Sequence, residues 1–387
     1  MVTYKFLLKL RNFFNAQGFL IVWGNTISHV IFSARMIYRY VTACSNYSDS
    51  WTNLSTSPST LLVSTTNYKG ARKRETYTMA IIPSCFQLTE EFGIKWIHPD
   101  YYSCLEYIGG GSYSNVSVAH NKLTDSKVAI KQLYRPFSSL TATKRTYREV
   151  CLLKHMKHKN VIDLVDIFTT AICKNDLDNL YLVSTFYPKD LKTMLKSEEM
   201  GLALIKSLVY QIFCGLYYIH SAGVIHRDLK PSNIADVWSV GCILGEMLTK
   251  RAVIRGQNFN DQVKQILCLV GTPDYEMLKK FTSEDAIDRI KQFGTFVKQD
   301  FSTFFNTTDE DTLSLLDQIF NLDVDNRISV DEAMKHRFFE DHFQQTDYKH
   351  APNFCDRYSD IELNQMEWLG LIYEEIKNNN CNTETHT

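Results

Sequence analysis

An α+β fold, a small antiparallel β-sheet followed by a mainly helical part, is what this sequence predicts, and three observations carry that expectation. Apolar and polar residues alternate from Tyr101 to Lys131 around a glycine cluster, the period lengthens to a helical one from Thr143 to Met156, and Asp236 to Leu248 is apolar nearly all round. The 387 residues suffice for one large two-lobed domain or two ordinary ones, and 44% hydrophobic residues are enough for a sizeable core.

Charge and cysteine usage exclude several classes. A formal net charge of -1 and a pI near 6.8 leave no electrostatic footprint for nucleic acid or for a membrane surface. The ten cysteines are scattered without a C-x-x-C pair, the pattern of free thiols in a reducing compartment. No uninterrupted apolar run approaches the roughly 18 to 20 residues that cross a bilayer, so no membrane span is expected.

The first part of the chain differs from the rest. Up to Tyr47 it contains no Asp or Glu, while Lys5, Lys9, Arg11, Arg35 and Arg39 punctuate apolar stretches, and Ile27, Val30, Ile31, Ala34 and Tyr38 fall near helical spacing. An Arg-rich, acid-poor segment suits a transit peptide, but Lys9 and Arg11 interrupt the one candidate signal core. Thr52 to Thr66 is Ser/Thr-rich without a period and reads as linker. The expectation is an unstructured extension.

The elements that follow place candidate chemistry in order. Leu105 and Tyr107, then Val116 and Val118, alternate on either side of Gly109-Gly110-Gly111, where glycines let backbone N–H groups approach a phosphate. By themselves these glycines fit an ordinary hairpin turn better than a phosphate loop. Val128 and Ile130 alternate with Ala129 and Lys131, which puts the Lys131 ammonium on the same strand face as Ala129. On the next helix Glu149 shares a face with Leu152, Leu153 and Met156. A carboxylate on an apolar face needs a partner, and Lys131 is the natural candidate. Leu204 to His220 is a second helix, with Ile205, Leu208, Val209, Ile212 and Leu216 on one side, and the run from Asp236 to Leu248 is a third, buried in a core.

The string His226-Arg227-Asp228-Leu229-Lys230-Pro231-Ser232-Asn233 matches a protein-kinase catalytic loop, and Lys230 after the Asp is the Ser/Thr-type choice. Together with Lys144 to Glu149, Leu153 to Met156, Ile219 to Ala222, Trp238 to Ile243 and Gly271-Thr272-Pro273, it makes the chain resemble a MAP kinase of the stress-activated subgroup with a Thr-Gly-Tyr activation motif. The resemblance runs from about Trp96 to Tyr373. It implies a bilobal kinase fold: an unmatched, disordered extension over 1–84, an N-lobe and hinge over 85–187, an internally shortened C-lobe over 188–342, and a C-terminal extension over 343–387 that packs back on the kinase and ends in a disordered tail. It further implies ATP and Mg²⁺. Gly109 and Gly111 would cover the phosphates, Lys131 would hold the α/β-phosphates and pair with Glu149, and Val116 and Ala129 would sandwich the adenine. Thr185 and Tyr187 would present hinge groups to its edge, with Ser184 as a small gatekeeper. Asp228 would be the catalytic base, Lys230 would assist transfer, and Asn233 would hold one Mg²⁺. The implied partners are an upstream MAP kinase kinase and protein substrates, for a monomer in cytoplasm and nucleus.

Against that pattern, Asn233-Ile234-Ala235 runs straight into Asp236-Val237-Trp238, and no D-F-G or A-P-E occurs in the chain. The resemblance therefore implies that roughly fifty residues are absent, including the D-F-G metal ligand, the activation loop and the peptide platform. Metal binding is expected to be weakened and catalysis impaired. Arg227 would lose the loop phosphate, and Arg327, if buried, would lose the A-P-E glutamate. In the family the aspartate at 236 bonds the catalytic-loop backbone; three residue steps from Asn233 reach at most about 10 Å, so a strained closure and partial unfolding are expected. The docking acids are thin, since Gln344 and Thr346 leave Asp347 with Glu340 and Asp341 nearby, which puts docking in question. A shortened form of a working kinase, a pseudokinase that binds nucleotide or partners, and an unstable product all remain open readings.

Overall fold

A computed structural model describes residues 63–67, 74–78, 85–110, 114–197, 199–224, 234–280, 284–358 and 361–383. The chain divides into two compact units. One comprises the described residues of Thr42–His155, Asp163–Phe186 and Arg357–Thr387; the other, in its described residues, comprises Met156–Ile162 and Tyr187–Asp356. These limits differ from the contiguous lobes expected: residues 156–162 and Tyr187 belong with the helical unit, and the C-terminal extension is shared out at Asp356.

The sheet unit begins with a departure from expectation. Within the stretch expected to be disordered, Val63–Asn67 (β1) and Arg74–Thr78 (β2) pair as an antiparallel hairpin. A Ser/Thr-rich composition reads as linker, yet threonine, unlike serine, is β-branched and fits a pleated strand. The acid-poor stretch up to Tyr47 lies outside the described residues. A second hairpin joins Phe86–Glu91 (β3) to Ile94–Pro99 (β4) through Phe92 and Gly93, whose φ values of 51° and 74° suit a two-residue turn.

The main sheet has five antiparallel strands: Tyr102–Gly110 (β5), Ser114–Asn121 (β6), Ser126–Leu133 (β7), Asp166–Phe168 (β8) and Tyr181–Thr185 (β9), in the order β5-β6-β7-β9-β8. Cys104, with φ of 54°, sits where the β5–β6 register shifts, a bulge that lets a non-glycine residue adopt that conformation. One face buries Ala119, Val128, Ile130 and Val183 with Trp96, Tyr102 and Phe168. Helix α1, Leu140–His155, ends in Lys154 and His155, the charge that suits a helix C-terminus. Its Val150 shares a second apolar cluster with Ile167, Leu180, Leu182 and, from the C-terminal helix, Leu369, Ile372 and Ile376. That helix is the last of the chain, and Lys154 of α1 ties to its Glu375 at 2.6 Å.

The helical unit contains Leu191–Ser197 (α2), Leu202–Ser221 (α3), Ile234–Thr249 (α4), Phe259–Val270 (α5), Tyr275–Lys279 (α6), Glu284–Gln292 (α7), Phe301–Phe305 (α8), Glu310–Ile319 (α9) and Val330–Met334 (α10); the C-terminal helix, Gln365–Thr383, is α11 of the sheet unit. Side-chain caps start several of them: Asn258 accepts from Asp261 N, Asp309 from Thr312 N, and Ser329 with Glu332 forms a capping box. Helix α4 packs so closely that a Cβ on Gly241 would lie 2.4 Å from Ile319 Cγ2, and one on Gly245 2.6 Å from Phe305 Cε1. These glycines are set by packing. The core around Phe213, Trp238, Leu244, Phe305, Leu316, Ile319 and Phe339 is contiguous.

Among the described residues, α3 is the one helix long and apolar enough to cross a membrane. The sequence expectation did not anticipate it because Lys206, Ser207 and Gln211 interrupt the apolar run. Its apolar residues, from Ile205 to Ile219, are buried, mostly in the unit's own core, which accounts for its composition.

Candidate functional site

The candidate residues fall into register across the five-stranded sheet. Gly109 lies opposite Val116, Val116 opposite Lys131, Val118 opposite Ala129, and Ala129 opposite Ser184. Directly opposed residues of antiparallel strands share a face, so Gly109, Val116, Ala129, Lys131 and Ser184 line one surface of the sheet. That surface is half-buried at all five positions, whereas the reverse face carries the core residues Ala119, Val128, Ile130 and Val183. Strand alternation produces this split: K-V-A-I-K cannot bury Val128 and Ile130 without turning Ala129 and Lys131 the other way.

Lys131 and Glu149 meet as the sequence predicted. Lys131 Nζ donates to Glu149 Oε1 at 2.8 Å, with 15% and 10% of the two side chains exposed. The carboxylate is held in place because neighbouring Val150 is buried in the cluster that anchors α1. The result is an ammonium fixed at the edge of a small-residue surface, able to meet a phosphate with its remaining donors.

The glycines differ in what requires them. At Gly110 a Cβ would lie 2.7 Å from both Asn115 Oδ1 and Tyr107 Oη, which would have to turn aside, and 3.2 Å from the Ser114 carbonyl oxygen. At Gly109 a Cβ would meet nothing within 4 Å. Open space at Gly109, a fixed cation at Lys131, and Ala129 facing Ser184 fit a flat base with its phosphates. The residues present therefore fit ATP on this side.

Gly111, the expected catalytic base Asp228, the transfer lysine Lys230 and the metal ligand Asn233 lie outside the described residues. Among the described residues, no group of three or more His, Cys, Asp or Glu is placed to hold a metal ion. Thr185 ends β9, and Tyr187 is the first residue of the next stretch of the helical unit. The Thr185 hydroxyl donates to Asp163 Oδ1 at 3.1 Å.

Three further residues acquire partners that the sequence did not indicate. Asp236, expected on the catalytic-loop backbone, has its Oδ2 2.6 Å from His220 Nε2, with both side chains buried. The pairing joins the basic C-terminal end of α3 to the acidic first turn of α4, the arrangement that both helix dipoles favour. Arg327 is buried, as the sequence argument required for it to matter; Nε donates to the Asn321 carbonyl at 2.7 Å and the guanidinium lies 4.9 Å from the Trp238 ring centroid. Burial pulls its pKa down to about 9, which leaves the charge in place at neutral pH. Asp347, the remaining docking acid, is buried and ion-paired with Lys159. No local pattern marks these partners, His220 being 16 residues from Asp236 and Lys159 188 from Asp347, and Asp163, 22 residues from Thr185, is equally unmarked.

The protein kinase domain family model matches residues 102–235 and 235–339, two segments that meet at Ala235. Mitogen-activated protein kinase 14 of Xenopus laevis is 36% identical over 328 residues, 73% of this chain and 91% of that protein. Mitogen-activated protein kinase pmk-1 of Caenorhabditis elegans is 36% identical over 329 residues, 73% of this chain and 87% of its own length, and human mitogen-activated protein kinase 12 is 34% identical over 340 residues, 76% and 93%. With the frog protein, 73% of 387 residues is about 283, about 45 fewer than the 328 aligned.

Proposed function

Because this chain belongs to the MAP kinase family of protein kinases, within its stress-activated subgroup, we propose that it binds ATP on the sheet surface bearing Lys131 and is impaired in passing the γ-phosphate to Ser or Thr of protein substrates. The observation that carries the reading is the formed Lys131–Glu149 pair at 2.8 Å, beside Gly109 and the facing Ala129 and Ser184. On this reading Gly109, Gly111 and Lys131 bind the phosphates, Val116 and Ala129 enclose the base, Ser184 leaves space behind it, and Thr185 and Tyr187 meet its edge. Asp228 orients the substrate hydroxyl and takes its proton, with Lys230 beside it. Mg²⁺ would neutralise charge on the phosphates, and Asn233 is the residue of this chain proposed to hold it.

Impairment is supported by the direct run from Asn233 to Asp236, by the family match divided at Ala235, and by the roughly 45 aligned residues of the frog relative without a partner here. The second reading, a pseudokinase that binds nucleotide or partners without transfer, draws on the same intact pair. An upstream MAP kinase kinase and protein substrates are the proposed partners. We place the protein in cytoplasm and nucleus as a monomer, with docking through Asp347 weakened by Lys159.

Thermal unfolding of the full chain with and without Mg-ATP, together with transfer of labelled γ-phosphate to a protein substrate, tests the proposal. Stabilisation by ATP with slow transfer that Asp228→Asn abolishes is the expected outcome. Stabilisation with no transfer beyond the Asp228→Asn background selects the pseudokinase, transfer as fast as that of an activated relative removes the impairment, and no response to ATP rejects the nucleotide site.

A further inference from the structure

We propose that Asp163 is a positioning residue for nucleotide binding: it holds the Thr185 hydroxyl and thereby fixes the end of β9, where the adenine edge is read. The inference rests on the nucleotide reading above and adds to it a residue that no catalytic or glycine-loop motif contains.

Strand β9 is held at its C-terminal end from both sides. On one side its neighbour β7 continues alongside, Val128 opposite Thr185, and Phe186 N donates to Lys127 O at 3.3 Å. On the other side lies β8, whose register runs from Asp166 opposite Val183 to Phe168 opposite Tyr181, with a main-chain bond from Val165 N to Val183 O at 2.8 Å beyond it. Thr185 lies two residues beyond Val183. On that side its hydroxyl is tied to Asp163 Oδ1 at 3.1 Å, a side-chain link beyond the last register pair.

The geometry assigns the two groups distinct roles. Thr185 opposes Val128 and so points to the face opposite Ser184, Ala129 and Lys131. Its hydroxyl is turned away from the surface that would meet the base, while its main chain continues into Phe186 and Tyr187. Asp163 is the first residue of one stretch of the sheet unit and Phe186 the last, so the bond ties together the two ends of that stretch. A hydroxyl given to a carboxylate is a stronger link than one given to a neutral acceptor. Without it, the carbonyl and amide groups at 185–187 would sample more directions, and binding a base would have to order them.

The test uses the full chain and two readouts, equilibrium binding of Mg-ATP by calorimetry and hydrogen exchange of the Phe186 amide without nucleotide. Thr185→Val keeps the shape and removes the donor; it should weaken ATP about tenfold, equivalent to about 1.4 kcal/mol, and speed the amide's exchange. Thr185→Ser, which restores a hydroxyl, should recover most of both. Asp163→Ala guards against misfolding of a single variant, and the double variant should bind no worse than the weaker single one. If the unaltered chain binds ATP and Thr185→Val binds within twofold of it, the positioning role is overturned and the nucleotide reading stands. Unchanged exchange at Phe186 also overturns it, whatever the affinity. An unaltered chain that binds no ATP overturns both.

Discussion

Exchanging Glu149 for Gln and Lys131 for Met, singly and together, isolates the interaction on which the candidate site is built. At 2.8 Å the two charges attract by about 6 kcal/mol at an effective dielectric of about 20. Desolvation of both groups offsets most of this, and the 15% and 10% exposure of the side chains admits some water. A charge-assisted hydrogen bond in such a setting contributes about 1.5–3 kcal/mol net. Lys131→Met should cost more than Glu149→Gln, because it strands a carboxylate that neighbours the buried Val150, whereas glutamine leaves Lys131 an amide acceptor. Hydrogen exchange of the β7 and β9 amides reads the opening free energy of the sheet unit without requiring both units to unfold together. The double variant should then be about as stable as Lys131→Met alone, giving a coupling of about 1–2 kcal/mol. Additive losses, with coupling below about 0.5 kcal/mol, would refute the pair as an energetic unit. ATP affinity should fall about tenfold in Glu149→Gln, since an unanchored ammonium must be ordered on binding.

Other perturbations probe the two units separately. Gly241→Ala drives a Cβ to 2.4 Å from Ile319 Cγ2 and should destabilise the helical unit by about 1–3 kcal/mol in urea unfolding; a neutral result would contradict the α4 packing. Arg327→Ala removes the bond to the Asn321 carbonyl and the contact with Trp238, at about 2–4 kcal/mol, while Arg327→Met keeps the bulk without a buried charge and should cost less; the reverse order would refute the view that desolvation dominates. His98 is buried, and its Nδ1 faces the Pro99 carbonyl at 2.9 Å, so that nitrogen donates and Nε2 accepts from Thr89 Oγ1 at 2.9 Å. Burial, the larger cause, holds its pKa below the ordinary 6.5 against the Pro99 bond, so its contribution is complete above pH 6.5 and is lost as pH falls through the lowered value. Exchange of β3–β4 amides should accelerate from pH 7.5 to 5 after correction for intrinsic rates, and His98→Gln should reduce that dependence; an equal dependence in both proteins would reject the assignment.

The parts of the fold that were legible in the sequence are those whose period is long enough to repeat. Alternation through β5, β6 and β7 and the helical runs of α1, α3 and α4 gave type and place, with ends a few residues off. Helix α1 starts at Leu140 because Ser139 Oγ accepts from Ala142 N, a cap that its apolar periodicity does not contain. Strand β8 is three residues long, too short for any period to show, and in β3 the charged Glu90 and Glu91 obscure the alternation. In the site, Lys131 and Glu149 could be paired because a carboxylate on an apolar helical face demands a cation. Asp163 carries no such demand: it precedes β8 in a stretch without a period, and Thr185 lies 22 residues away.

The contiguity of the helical core bears on what the short link from Asn233 to Asp236 removes. If that link deprived the unit of its core, α4 would be the element to suffer, since it follows directly. Yet α4 begins at Ile234 and buries Val237, Trp238, Val240, Leu244 and Met247 against residues of α8 and α9 that lie well downstream in the chain. Its first turn is tied to α3 through Asp236 and His220, and the charge of Arg327 is met by the Trp238 ring and the Asn321 carbonyl. None of these contacts draws on a D-F-G strand or an A-P-E helix. On the proposed reading, the cost of the short link falls on transfer rather than on the core, because the Asp236 carboxylate is engaged by His220. Releasing it is a direct check. His220→Phe should leave the helical core's exchange protection close to that of the unaltered chain while changing ATP-dependent transfer, in either direction; loss of protection throughout α3 and α4 would mean that the pair holds the fold, and the separation of core from chemistry would fail.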